Sequence, residues 1–336
     1  LLLFLRHRAG ALAGVLKCAE FWAVLGLGLL LMLRLPESLY AEYGAQKVKY
    51  YVVNNMVCFF APVLAAAVWG RTGLYRFLKG AFLGGLALTA YFWISKSFLD
   101  LPFNTYAVLN FNPIGLSRII GLFILLVIFW NAKFLPLTLS LALAAAACTA
   151  MVILNARGPA LALVVALAAA GLGLFGGRNR LLPLLAVPLF SLLAFYVCAN
   201  FWFSPGFLSL DDSGRLQFYL TALAEFARSP LLGAGTGSYA FFSSVPGVLY
   251  PHNLFLEAAV ELGMPGLALS LLLVAAPLLR LIRWAGRVKE SVLAGVLLLF
   301  CLVNAMFSGD INGNFILWLA AGVAASLAMV REDESR

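Results

Sequence analysis

The sequence predicts an all-α, polytopic integral membrane protein, and two observations carry that expectation. Hydrophobic residues make up 63% of the 336 and charged ones only 11%, leaving more apolar surface than a soluble domain's polar residues can cover. Apolar runs of about 17–25 residues, the length a helix needs to cross hydrocarbon, recur from end to end.

Taken in order, ten spans are expected, at roughly 12–33, 51–69, 80–97, 114–130, 135–153, 159–175, 181–203, 254–279, 291–307 and 312–330. They form one membrane domain over 1–336, with no tandem repeat. The opening LLLFLRHR has no initiator Met and reads as the end of a helix followed by a basic stop. Trimming or missing earlier helices would explain it; a cleaved signal peptide fits poorly, because no small-residue cleavage site follows. If Arg6 and Arg8 are cytoplasmic, the short alternate loops on that side hold most of the Lys and Arg, among them Arg71, Arg76, Lys79, Arg178, Arg180, Arg280, Arg283 and Arg287. The positive-inside bias then puts both ends in the cytoplasm.

On that map the net charge of +9 reflects topology. No loop interleaves basic and aromatic residues over a length that tracks a phosphate backbone, so no nucleic acid is expected. Cys18, Cys58, Cys148, Cys198 and Cys301 lie far apart in or beside apolar runs, which is neither a disulfide framework nor a metal spacing. With two histidines and no HExxH or CxxC, no transition-metal site is expected.

The longest loop, 204–252, faces outward. Within it 211–230 reads as a helix, with Asp211, Asp212 and Ser213 as candidate N-caps and Pro230 as its stop. Leu216, Tyr219, Leu220, Leu223 and Phe226 recur at helical spacing, giving a face that suits the bilayer surface or the helical bundle. No charge is expected in the middle of a span, which speaks against an ion-coupled transporter and places any chemistry at the outer interface.

Three residues there are candidates. Arg157 opens a short outer connection with Pro159 in the next first turn; with backbone N–H groups it forms an anion site, or else snorkels to headgroups. Arg215 sits in the first turn of the loop helix against the dipole, either neutralised by Asp211 or Asp212 or reaching an anionic ligand. His252 is a general acid or base, or else a helix cap or a partner of Glu257. Asn253 and Glu257, one turn apart, are placed to orient the imidazole. The break at Gly263-Met-Pro-Gly266 would let neighbouring backbone approach or a lipid chain pass. Two glycine-rich stretches are set aside: GAGTG at 233–237 as an ordinary turn, since no Lys-Ser/Thr follows, and GLGLFGG at 171–177 for lack of polar groups.

Arg157-Gly-Pro-Ala-Leu161 has the form R-x3-L, and His252-Asn253 followed after nine residues by Gly263-Met-Pro-Gly266 has the form H-N-x9-G-x-x-G. With SGRLQFYLTAL, SPLLGAGTGSY and MFSGDINGNFILW in order, these resemble the O-antigen ligase family, which includes O-antigen polymerases and protein O-oligosaccharyltransferases. The likeness covers about 150–320. It implies a GT-C-like bundle of about twelve helices, two of them preceding this chain. It also implies metal- and cofactor-independent transfer of a glycan from undecaprenyl diphosphate to an acceptor, at the periplasmic face of a bacterial inner membrane. Arg157 and Arg215 would hold the diphosphate, His252 would deprotonate or orient the acceptor hydroxyl, and Asn253 and Glu257 would contribute to substrate binding. An O-antigen ligase acting on lipid A-core is favoured, with a repeat-unit polymerase or protein O-oligosaccharyltransferase as alternatives. A lipid-linked glycan flippase or transporter is the reading from another class. The outer loop, about 49 residues long, is shorter than expected for ligases acting on lipopolysaccharide core.

Overall fold

The computed structural model describes residues 14–98, 112–130, 135–154, 156–176, 214–288 and 290–334. Every regular element among them is helical. The helices are α1 (Ala19–Leu33), α2 (Ala41–Tyr50), α3 (Val57–Phe98), α4 (Pro113–Phe129), α5 (Leu137–Ile153), α6 (Arg157–Gly171), α7 (Arg215–Arg228), α8 (Tyr239–Phe242), α9 (Leu254–Arg283), α10 (Glu290–Phe307) and α11 (Phe315–Glu334). A π-helical stretch, Tyr51–Met56, joins α2 to α3. The expected span at 181–203 and the caps Asp211, Asp212 and Ser213 lie outside the described residues.

Four stretches are long and apolar enough to cross a membrane, Ala41–Ser95, Leu254–Arg283, Glu290–Phe307 and Phe315–Glu332, and α1, α4, α5 and α6 are shorter apolar helices. The two spans expected at 51–69 and 80–97 correspond to two helices that adjoin within α3. Gly70, at φ 60 and ψ −143, breaks the helical backbone between them.

The chain divides into two compact units, one built from 1–74, 205–280 and 305–336, the other from 75–204 and 281–304. In the second unit small residues set the spacing of the helices. A Cβ on Gly121 of α4 would lie 2.4 Å from the Phe300 ring of α10, and one on Gly85 of α3 would lie 2.7 Å from Phe123 Cβ. The N-terminus of α4 is capped by Asn112, whose side chain accepts from Gly115 N–H at 2.6 Å, with Pro113 in the first turn. Arg118 of α4 is buried.

In the first unit α1, the π stretch and α11 meet around Tyr51. Its hydroxyl donates to Val24 O at 2.8 Å and accepts from Trp318 Nε1 at 3.2 Å. A Cβ on Gly322 would lie 2.3 Å from Phe59 O, so α11 and α3 approach backbone to backbone.

The expectation that no span carries an internal charge is corrected. Glu20 of α1 is fully buried and paired with Arg280, and Lys47, Glu257 and Glu261 are buried together. A charge is tolerated there because its counter-charge is buried with it.

The α7 helix runs from Arg215 rather than from the expected start, behind Gly214 in the left-handed conformation, and ends before Pro230 as expected. Phe218 and Ala222 pack with Tyr239 and Val260, joined by Tyr219, Phe226 and Leu256. Leu216, Leu220 and Leu223 are exposed instead. The helical period was readable, but both faces of this helix are apolar and periodicity cannot choose between them.

The break in α9 falls at Gly263, at φ 67 and ψ −160. It frees the carbonyls of Val260 and Glu261, the latter because Pro265 has no N–H to offer. The 233–237 stretch supplies the donors. Ala234 N–H donates to Val260 O at 2.7 Å and Gly235 N–H to Glu261 O at 3.0 Å, while Met264 N–H donates to Pro230 O at 2.8 Å. A side chain at either glycine would block this contact, since a Cβ on Gly233 would lie 2.5 Å from Gly263 N and one on Gly263 2.5 Å from Leu231 O. Of the two outcomes left open at this break, backbone approach is the one found; its partner, set aside as an ordinary turn, was not anticipated. Gly263→Ala is expected to add about 1–2 kcal/mol of left-handed strain to the Leu231 clash and lower the melting temperature in detergent by several degrees. Gly84→Ala, with nothing within 4 Å of the new Cβ, should leave it unchanged or slightly raised.

Candidate functional site

His252 is the one non-glycine residue with positive φ among the described residues, at φ 58. A left-handed backbone is uncommon for a residue with a Cβ and costs roughly 1–2 kcal/mol, so the surroundings must hold it. Two rings do so: Tyr250, edge-on with centroids 4.7 Å apart, and Phe218 of α7 at 5.9 Å.

The next residue caps α9. Asn253 Oδ1 accepts from Phe255 N–H at 3.0 Å and Leu256 N–H at 3.1 Å, satisfying first-turn donors. Its Nδ2 donates to Met306 O at 3.2 Å. The same carbonyl accepts from Tyr219 OH at 3.3 Å, one turn beyond Arg215. Burial raises the Tyr219 phenol above its ordinary value, partly offset by the Arg215 charge, which keeps it a donor. Two links, Phe218 against the imidazole and Met306 O shared by Tyr219 and Asn253, therefore tie the helix that Arg215 opens to the turn that holds His252. Arg215 itself is half-buried.

Arg157 belongs to the second unit. It is the first residue of α6 and exposed, behind Ala156, which offers no side-chain cap. The sequence placed it in the connection before the helix; it is instead the helix's own first residue, with Pro159 in the same turn.

Glu257 was read as orienting the imidazole; its carboxylate is committed elsewhere. It is fully buried, forms an ion pair with Lys47, and accepts from Ile311 N–H at 2.9 Å. One turn on, Glu261 pairs with Lys47 at 2.6 Å and accepts from Gly237 N–H at 2.8 Å. Lys47 Nζ also lies 4.8 Å from the Tyr43 ring centroid, and Tyr43 OH donates to Asp310 Oδ2 at 3.2 Å. Lys47 was missed because it looked like one more basic residue of an outer loop. The signal was on the other side: two glutamates four residues apart in an apolar helix repel each other and need a buried cation.

Beside this group is a cavity of about 290 Å³, lined by residues of α2, the π stretch, Tyr250 and 310–315.

Lys47→Met would leave two carboxylates buried without their cation, expected to cost about 3–5 kcal/mol and to remove most folded protein from size-exclusion profiles. Adding Glu257→Gln and Glu261→Gln to that variant should restore much of it, because the uncompensated charge goes with them.

No curated protein matches the chain. A family model does, over residues 141–271, a stretch shorter than half the chain that nonetheless contains Arg157, Arg215, His252, Asn253, Glu257 and the Gly263 break. That model is described as O-antigen ligase, a family of glycosyltransferase-like enzymes whose partners are lipid-linked glycans and their acceptors in a membrane. Over the segment 141–271, the chain is similar to the O-antigen ligase family.

Proposed function

We propose that the protein transfers a glycan from undecaprenyl diphosphate to an acceptor hydroxyl at the periplasmic face of a bacterial inner membrane, as an O-antigen ligase. The observation that supports it most is His252: the strained residue, held by two rings, next to the Asn253 cap and tied to the helix of Arg215.

In this reading His252 takes the proton of the acceptor hydroxyl. The acceptor oxygen forms the new bond to the anomeric carbon as the carbon–oxygen bond to the diphosphate breaks, and the bonding pair leaves with the diphosphate. Configuration inverts. Negative charge grows on the leaving group, and Arg215 meets it with a guanidinium of fixed fork geometry. Arg157 is assigned to the same donor group on the strength of the R-x3-L resemblance. Asn253 and Glu257 act through backbone and packing, holding the helix that follows His252.

A polymerase or a protein O-oligosaccharyltransferase would use the same donor chemistry, so the acceptor decides. Incubation of purified protein with a defined lipid-linked donor plus lipid A-core, a second donor or a peptide is expected to elongate lipid A-core, and to do so in EDTA. A strict divalent-metal requirement would refute the assignment of leaving-group charge to arginine. His252→Ala should abolish turnover while the protein stays folded, and Arg157→Ala or Arg215→Ala should raise the donor KM. His252→Gly should also be inactive, yet more stable than His252→Ala by about 1 kcal/mol, since glycine relieves the left-handed backbone. Full turnover in His252→Ala would overturn the base.

A second reading, coupled movement of a lipid-linked glycan, draws on Lys47, Glu257 and Glu261, because ionisable groups within spans often mark ion paths. In proteoliposomes a coupled transporter slows when the proton gradient is collapsed; the transferase is expected not to.

A further inference from the structure

The cavity beside the charged group has a lining that the transfer chemistry above leaves unused. Tyr43, Tyr50, Tyr250 and Phe315 supply aromatic surface, and Gln46, Asn54 and Asn312 supply carboxamides. At about 290 Å³ it lies at the low end of small-molecule clefts, which run to roughly 300–1,000 Å³; that suits one or two sugar rings rather than a long glycan.

Three observations mark it as built for a ligand. Asn312 is 8% exposed; its Nδ2 donates to Lys47 O at 3.1 Å, while its Oδ1 is buried with no hydrogen-bond partner among the described residues. A buried acceptor left unmade costs about 1–3 kcal/mol, a cost the fold bears in the wall of this cavity. Secondly, the wall that carries Asn54 is the π-helical stretch Tyr51–Met56, a distortion often kept at functional sites. Asn55 of the same stretch anchors it to the opposite wall, donating to Ile311 O at 2.8 Å. Thirdly, the floor is fixed in place: Gly313 N–H donates to Asp310 Oδ1 at 2.6 Å and Asn314 Nδ2 to Asp310 O at 2.8 Å.

Charge decides what kind of ligand fits. The cation at the cavity, Lys47, is already shared by Glu257 and Glu261, and Asp310 adds a third carboxyl group. One ammonium among three carboxylates repels a diphosphate, which seeks arginines, lysines and free N–H groups. Aromatic faces with amides and one carboxylate instead suit the apolar C–H face and the hydroxyl rim of a neutral sugar.

We propose that this cavity is a subsite for a neutral sugar ring of the glycan acceptor, presented to His252 across Tyr250. The proposal rests on the transferase reading above. The imidazole touches both Phe218, on the helix that Arg215 opens, and Tyr250, on the cavity wall. The arginine side serves the anionic donor and the tyrosine side the neutral acceptor.

The test uses the full chain in detergent, with glucose, galactose, N-acetylglucosamine and rhamnose as probes in saturation-transfer NMR. At least one is expected to receive saturation, with inorganic pyrophosphate failing to displace it. Tyr50→Ala, at an exposed position, and Asn54→Ala should weaken that binding about tenfold or more. In the transfer assay both should raise the acceptor KM by a similar factor at nearly unchanged kcat and donor KM. No saturation of any probe, displacement by pyrophosphate, or binding indifferent to both variants would overturn the subsite. If the variants lose sugar binding but His252→Ala keeps full turnover, the transferase reading falls and the sugar site stands. If lipid A-core is elongated normally by the variants, the subsite falls and the transferase reading stands.

Discussion

The burial of Lys47 between Glu257 and Glu261 is the constraint on which the rest of the site depends. It joins segments far apart in sequence, with α2 supplying the cation and α9 both carboxylates. The spare oxygens of the two glutamates bind Ile311 N–H and Gly237 N–H, and Asn312 closes the circuit onto Lys47 O. A buried ion pair is weak evidence for stability, because desolvation offsets much of the attraction. Its contribution here is selection. An α9 rotated by one residue, or an α2 slipped by one turn, would leave charges buried alone, and that penalty excludes such packings.

The backbone adds a second selection. Within unit 1, the break at Gly263 leaves two carbonyls that no helical donor can reach, and the glycine-rich stretch after α7 satisfies them. Thr236 extends the same attachment to α1, donating through Oγ1 to Leu31 O at 2.8 Å and through N–H to Arg34 O at 3.2 Å. In a membrane protein unpaired backbone groups are costly wherever water is scarce, so a broken helix survives only against such a partner. The loop and the break are therefore one element contributed by two parts of the chain.

This explains which features were legible in the sequence. Helical character followed from the apolar runs, and the position of Arg215 in a first turn followed from the α7 pattern. The Gly263 break was marked by glycine and proline together. The role of 233–237 was not legible, since a glycine turn and a glycine strut read alike until the opposing carbonyls are known. Which apolar residues of α7 pack inward was left open, because Phe218 and Leu220 have equal claims to burial on composition. Glu257 was misassigned for a simpler reason: Asn253 and Glu257 share a helical face, but a buried carboxylate goes to the nearest cation, and Lys47 lies more than two hundred residues away in sequence. The left-handed backbone of His252 had no sequence signal, since neither a glycine nor an asparagine stands there to announce it.

That backbone has a physical rationale in the surroundings. A histidine free to relax would turn out of the left-handed region, gaining local stability and losing its contact with Tyr250 or Phe218. It is held by pieces that are themselves over-determined: Asn253 is spent on capping α9 and on Met306 O, and Phe218 is packed against Tyr239 and Val260. Tyr239 in turn donates to Phe218 O at 3.2 Å. The strain at one residue is thus balanced by helices whose positions the Lys47 group has already selected, and two rings aim the imidazole. On the proposed transferase reading that aim matters, because an aromatic contact orients the imidazole without itself attracting or repelling an anionic substrate.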